Sequence, residues 1–101
     1  MPGYRLDRLA APEVRRLAAA GAPVLWAVGS TEQHGDHLVT GFDRRSAEAV
    51  CVAAAERCTR DVALLPPLPF GASDHWLALG ATWSLRATTM TAVLADIARS
   101  A

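Results

Sequence analysis

The feature that most constrains this chain is an apolar run, Pro23 to Val28 (PVLWAV), that breaks at Gly29 into a polar stretch holding Glu32, His34, His37 and Asp43. A short, nearly all-apolar segment has the pattern of a strand covered on both faces in a parallel sheet. From Asp43 to Thr59, apolar residues at Ala47, Val50, Cys51, Ala54, Ala55 and Cys58 recur at helical spacing. Arg44, Arg45, Glu48, Glu56 and Arg57 mostly take the other side, as a solvated face. Val62–Leu65 then reads as a second strand. Strand, helix, strand in this order is a βαβ unit with parallel strands and a right-handed crossover, so the expected fold class is α/β. The polar stretch becomes the connection at the carboxyl end of the first strand, where α/β proteins usually bind ligands.

In an extended chain, residues two apart point the same way, so Glu32 and His34 can face one cavity. Asp43 falls in the first turn of the following helix, where a carboxylate is electrostatically favoured. Carboxylates with an imidazole form a mixed oxygen and nitrogen ligand set suited to zinc, manganese or another borderline divalent ion. Gly29, Gly35 and Gly41 would permit tight turns and close approach of the backbone to such an ion. Taken singly, Glu32 and His34 are ordinary polar loop residues and Asp43 is a helix cap. Taken together they are a metal or catalytic cluster, and on chemistry alone both readings stay open.

The remainder of the chain fits around this unit. Residues 1–11 read as an irregular lead-in, and Pro12–Ala20 as a short helix, with Pro12 in its first turn and Gly21 as its stop. Trp26 reads as a core residue rather than a substrate platform. Pro66–Trp83 is a long connection without clear periodicity, of the kind that is usually functional or mobile, and its polar candidates are Ser73, Asp74 and His75. Met90, Val93, Leu94 and Ile97 mark an amphipathic helix over Ala87–Ser100, which Thr88 or Ser84 could cap. The 101 residues suffice for one small domain, and an apolar fraction of 51% excludes intrinsic disorder. Ten acids balance ten bases, leaving no positive field to recruit nucleic acid or an anionic membrane. Cys51 and Cys58, two helical turns and about 10 Å apart, are too distant for a disulfide and read as reduced core residues. With no apolar run approaching the ~18 residues of a membrane span and no secretory signal, a soluble, cytoplasmic protein is expected.

Two blocks carry a family resemblance. VGSTEQHGDHL (residues 28–38), with an aspartate nine residues after His34, resembles the signature V-G-S-x-E-Q-H-G-x-H-L-P of the creatininase family of creatinine amidohydrolase-like enzymes. PPLPFGASDH (66–75) followed by GATWSL (80–85) is similar to a second family segment, P-P-x-x-x-G-x-S-x-x-H and G-T-x-S-L. The resemblance implies a three-layer α/β/α sandwich of the creatininase type. This chain would be the N-terminal part of its single domain, incomplete, with about two parallel strands and three helices. It also implies a two-metal amidohydrolase that cleaves the C–N bond of a cyclic or small amide, creatinine or in some relatives small peptides. Glu32 and His34 would each bind a different zinc or manganese ion and Asp43 would bridge them, with His37, Ser73 and His75 as possible pocket residues. Complete members tend to be symmetric homo-oligomers. They run to more than twice this length and draw further ligands from an N-G-H-x-x-N-like motif beyond the equivalent of Ala87–Ser100. The chain is therefore expected to hold half of a site, with exposed sheet edges and a last helix with little to pack on. The competing expectation is a catalytically incompetent fragment, a weak metal binder or an interaction module dependent on a partner. A third, a mononuclear site of Glu32, His34 and His37, would be lost on replacing His37.

Overall fold

The computed structural model describes residues 3–101. Three strands, β1 (Gly3–Arg5), β2 (Val24–Val28) and β3 (Val62–Leu68), form one parallel sheet in the order β1-β3-β2. Between them run the helices α1 (Ala11–Ala19) and α2 (Phe42–Arg57), and α3 (Ala87–Ser100) closes the chain.

α1 carries Pro12 in its first turn and ends in a Schellman motif: the Ala22 N–H donates to the Leu17 carbonyl and the Gly21 N–H to that of Ala18, both at 3.0 Å. That geometry requires a left-handed residue, and Gly21 supplies it with φ of +72°.

The alternation of side chains along β3 builds the layers. Val62 and Leu64 turn towards α2 and form the core with Ala55, joined by Leu25, Cys51, Val52 and Cys58. On the opposite face, Ala63 and Leu65 line a 350 Å³ cavity with Val14, Leu17, Val24 and Ile97. Helices α1 and α3 thus stand across the sheet from α2, giving the expected three layers.

Several expectations need correction. The lead-in is not irregular: Gly3–Arg5 is a strand paired with Val62–Leu64, so the sheet has three strands rather than two. Three residues are too short to display a period, and Gly3 is obligatory, because a Cβ there would lie 2.8 Å from that of Ala55. Met1 and Pro2 lie outside the described residues. β2 is not covered on both faces; it is an edge strand in which Val24 is exposed and only Ala27 is buried. On α2, Val50 does not join the core and is 67% exposed, because a narrow sheet can cover only the stripe through Cys51, Val52 and Ala55. Finally, β3 runs past Leu65 through Pro66 and Pro67. The pairing with β1 ends at Leu64, and the register with β2 shifts between Trp26 and Val28. Prolines are tolerated where a strand has become an edge or bulges.

The last helix behaves as expected, with no buried residue. Its cap does not: no side chain caps it, and Ser84 is engaged elsewhere. No described helix is long and apolar enough to cross a membrane.

Candidate metal centre

Two backbone contacts fix the start of the polar connection. The Gly29 N–H donates to the Leu68 carbonyl at 3.0 Å, and α2 begins directly above it. A Cβ on Gly29 would lie 2.4 Å from the Arg44 nitrogen, so only glycine allows the helix this close. The close approach that the glycine was expected to permit therefore serves a helix, and it brings Asp43 in the first turn of α2 back over the loop.

The structure brings Glu32, His34 and Asp43 together, with one ligand atom from each lying within 4.8 Å of the others. Asp43 is not a helix cap, since Gly41 occupies that position and no side chain caps α2. Its Oδ1 stands 3.1 Å from His34 Nε2, and the other ring nitrogen, Nδ1, stands 3.1 Å from the Glu32 carbonyl oxygen. A carbonyl can only accept, so Nδ1 carries a hydrogen and Nε2 turns to the carboxylate. A lone pair facing a carboxylate oxygen calls for positive charge between them, either a proton or a cation. Two donors about 2.1 Å from one zinc ion and near tetrahedral or square angles lie roughly 3.0–3.4 Å apart, the separation seen here. The Nδ1 bond to a backbone carbonyl is the outer contact that usually orients a metal-binding histidine. These residues fit a divalent ion.

The same contacts raise the His34 pKa above the usual histidine value. The Glu32 carbonyl contributes most, burial opposes it, and the negative charge of Asp43 adds to it. Phe42 packs against the His34 ring, with centroids 5.4 Å apart. Beside Asp43 lies an open 430 Å³ hollow lined also by Gly29, Ser30, Gly71, Ala72 and Met90.

The other candidates lie outside this cluster. His37 is exposed on the loop, and exposed His75 stacks on Trp76, with centroids 5.0 Å apart, in a 3-10 helix over Asp74–Leu79. Ser73 is buried at 1% exposure, and its backbone N–H donates to Ser84 Oγ at 2.8 Å. Trp26 is half-buried, its indole N–H donating to the Pro66 carbonyl at 3.1 Å.

A family model described as creatinine amidohydrolase (Creatininase) matches residues 7–101. The chain belongs to the creatininase family. Among curated proteins, this creatininase-family chain is 36% identical over 91 residues to a mycofactocin precursor peptide peptidase of Mycolicibacterium smegmatis, covering 86% of the chain and 37% of the relative. It is 34% identical over 103 residues to the protein of the same description in Mycobacterium ulcerans, covering 95% and 41%. Similar solved structures include a creatininase mutant of Zn–Zn type, with a TM-score of 0.86 at 30% identity over 95% of this chain and 39% of that one. Another is a manganese creatininase, with a TM-score of 0.85 at 30% identity over 97% and 40%. A third is a creatininase mutant complexed with creatine, with a TM-score of 0.87 at 29% identity over 97% and 39%. The chain thus spans about two fifths of the length of the relatives it matches.

Residues that sequence reasoning passed over hold the ligand loop in place. The Trp83 N–H donates to the Thr31 carbonyl at 3.0 Å, and the Gln33 N–H donates to Thr82 Oγ1 at 3.1 Å. Both partners lie in GATWSL, a segment picked out for its resemblance. Nothing in its spacing indicated which loop it would meet.

Proposed function

We propose that this chain supplies ligands for a divalent metal ion, zinc or manganese, in a metal-dependent hydrolase acting on an amide C–N bond. The observation that carries this reading is the convergence of Glu32, His34 and Asp43, with the His34 ring turned by the Glu32 carbonyl so that Nε2 meets Asp43. When bound, the ion supplies Lewis acidity, polarising an amide carbonyl and lowering the pKa of a water towards neutrality. The chain's own residues hold and orient. Asp43 offers a carboxylate from the rigid start of α2. Glu32 offers a second from the loop, and His34 must release its Nε2 proton before that nitrogen can serve as a ligand. The proposal extends to a pair of ions, which Glu32, His34 and a shared Asp43 would help to hold. The zinc and manganese forms of the similar creatininases support the choice of metals. For substrate, the family description, creatinine amidohydrolase, and the peptidase description of other relatives share the amide bond as the reacting group. The class proposed is a small amide or short peptide.

A second reading is favoured by the chain's span of about two fifths of its relatives. In it the three residues bind metal but do not by themselves turn over an amide. Metal content of the dialysed protein tests the binding that both readings share, with Asp43→Ala as control. About one to two zinc or manganese ions per chain, lost in the control, supports it; metal-free protein in both samples overturns it. Amide hydrolysis by the metal-loaded protein then separates the first reading from the second.

A further inference from the structure

The peptide between the two loop ligands is held from outside the loop. Gln33 lies between Glu32 and His34, and its N–H donates to Thr82 Oγ1 at 3.1 Å. The same hydroxyl donates to the Gly80 carbonyl at 3.0 Å, which leaves its lone pairs for Gln33 and fixes its orientation. One residue further on, the Trp83 N–H donates to the Thr31 carbonyl at 3.0 Å. Consecutive residues of the second loop therefore grip both sides of Glu32. Glu32 itself is tied within its own loop, its N–H donating to the Thr40 carbonyl at 3.1 Å.

The second loop is itself rigidly based. The Leu85 N–H donates to the Gly71 carbonyl at 2.9 Å. Ser84 Oγ accepts from the Ser73 N–H at 2.8 Å and donates to Asp74 Oδ1 at 2.6 Å. At its far end, Ala81 sits at φ of +50°, a left-handed conformation that a residue with a Cβ adopts only when its surroundings hold it there. The strained residue is the one immediately before Thr82.

We propose that Thr82 is a positioning residue for the metal centre, its hydroxyl fixing the Glu32–His34 peptide geometry so that both ligands face Asp43. The inference rests on the metal-binding reading above. Thr82 is not one of the three grouped ligand residues; its contact is with the Gln33 backbone, the way outer contacts of metal sites act.

The test compares the full chain with its Thr82→Val and Thr82→Ser variants, measuring zinc affinity by competition with a chromophoric chelator and the melting of each metal-free protein. Valine keeps the shape and removes the hydroxyl, whereas serine keeps the hydroxyl and removes a methyl. The expected result is a loss of about 10–100-fold in zinc affinity for Thr82→Val, the range for outer-shell contacts, with near wild-type affinity for Thr82→Ser. Melting of the metal-free Thr82→Val protein should shift far less than the affinity. Wild-type affinity in Thr82→Val overturns the inference while leaving the metal reading in place. Equal losses in both variants, or a loss that follows the melting temperature, also overturn it, since the role is then only structural. Failure of the wild-type chain to bind zinc overturns the metal reading and this inference with it.

Discussion

At the scale of single residues, His34 determines how the site responds to pH. Its folded-state pKa is raised, first by the Glu32 carbonyl and then, against the cost of burial, by Asp43. For the metal-free protein, the pairing therefore stabilises the fold fully below the ordinary histidine pKa and is lost as pH rises through the raised value. Metal binding has the opposite sign, because the ion and the proton compete for Nε2. Zinc or manganese affinity should fall about tenfold per pH unit below the His34 pKa, one proton being displaced per ion at this ligand. Isothermal titration across the mildly acidic range checks this, and an affinity independent of pH there would remove His34 from the ligand set. The pair His34 and Asp43 was visible in the sequence as residue types at a suggestive spacing. Which ring nitrogen faces the carboxylate was not, because the tautomer is set by a backbone carbonyl whose direction depends on the loop's path.

At the scale of elements, the centre depends on how closely the start of α2 rests on the end of β2. Gly29→Ala would place a Cβ 2.4 Å from the Arg44 nitrogen, against backbone that cannot swing aside. The helix start must then shift, carrying Asp43 away from His34. Chemical denaturation should show a loss of about 1–3 kcal/mol, the usual cost of overpacking, together with weakened metal binding. Unchanged stability and affinity would mean that the helix approach does not set the ligand geometry. α3 is the opposite case: a helix in which no residue is buried. Its amides should exchange with solvent well before those of β3, the central strand, in a hydrogen-exchange time course. Equal protection would show α3 to be part of the cooperative core. Both the existence of α2 and α3 and their periodicity could be read from the sequence. The stripe of α2 that faces the sheet could not. Periodicity names an apolar side, but Val50 shows that the width of the sheet beneath decides how much of that side is covered.

At the scale of the whole molecule, two thin layers of packing enclose a narrow sheet. On one face Val62, Leu64 and Ala55 form the α2-side core; on the other, Leu17 of α1, at 1% exposure, is the principal buried residue. Leu17→Ala should cost about 2–5 kcal/mol in a urea titration, the range for a large-to-small core change, with the upper part of the range expected if the adjoining cavity fails to collapse. A cost under about 1 kcal/mol would indicate that the α1 layer contributes little to the cooperative unit. The sequence by itself determined the βαβ order, the parallel pairing of its two strands, and the placement of Glu32, His34 and Asp43 at the carboxyl end of a strand. Those features follow from local periodicity, which is written in adjacent residues. Tertiary structure alone decided that Gly3–Arg5 would pair as a third strand and that β3 would run on through two prolines. It also decided that Thr82, forty-nine positions from Gln33, would hold the ligand loop. Each of these depends on a partner far along the chain, and a hydrogen bond between distant segments leaves no period in either one.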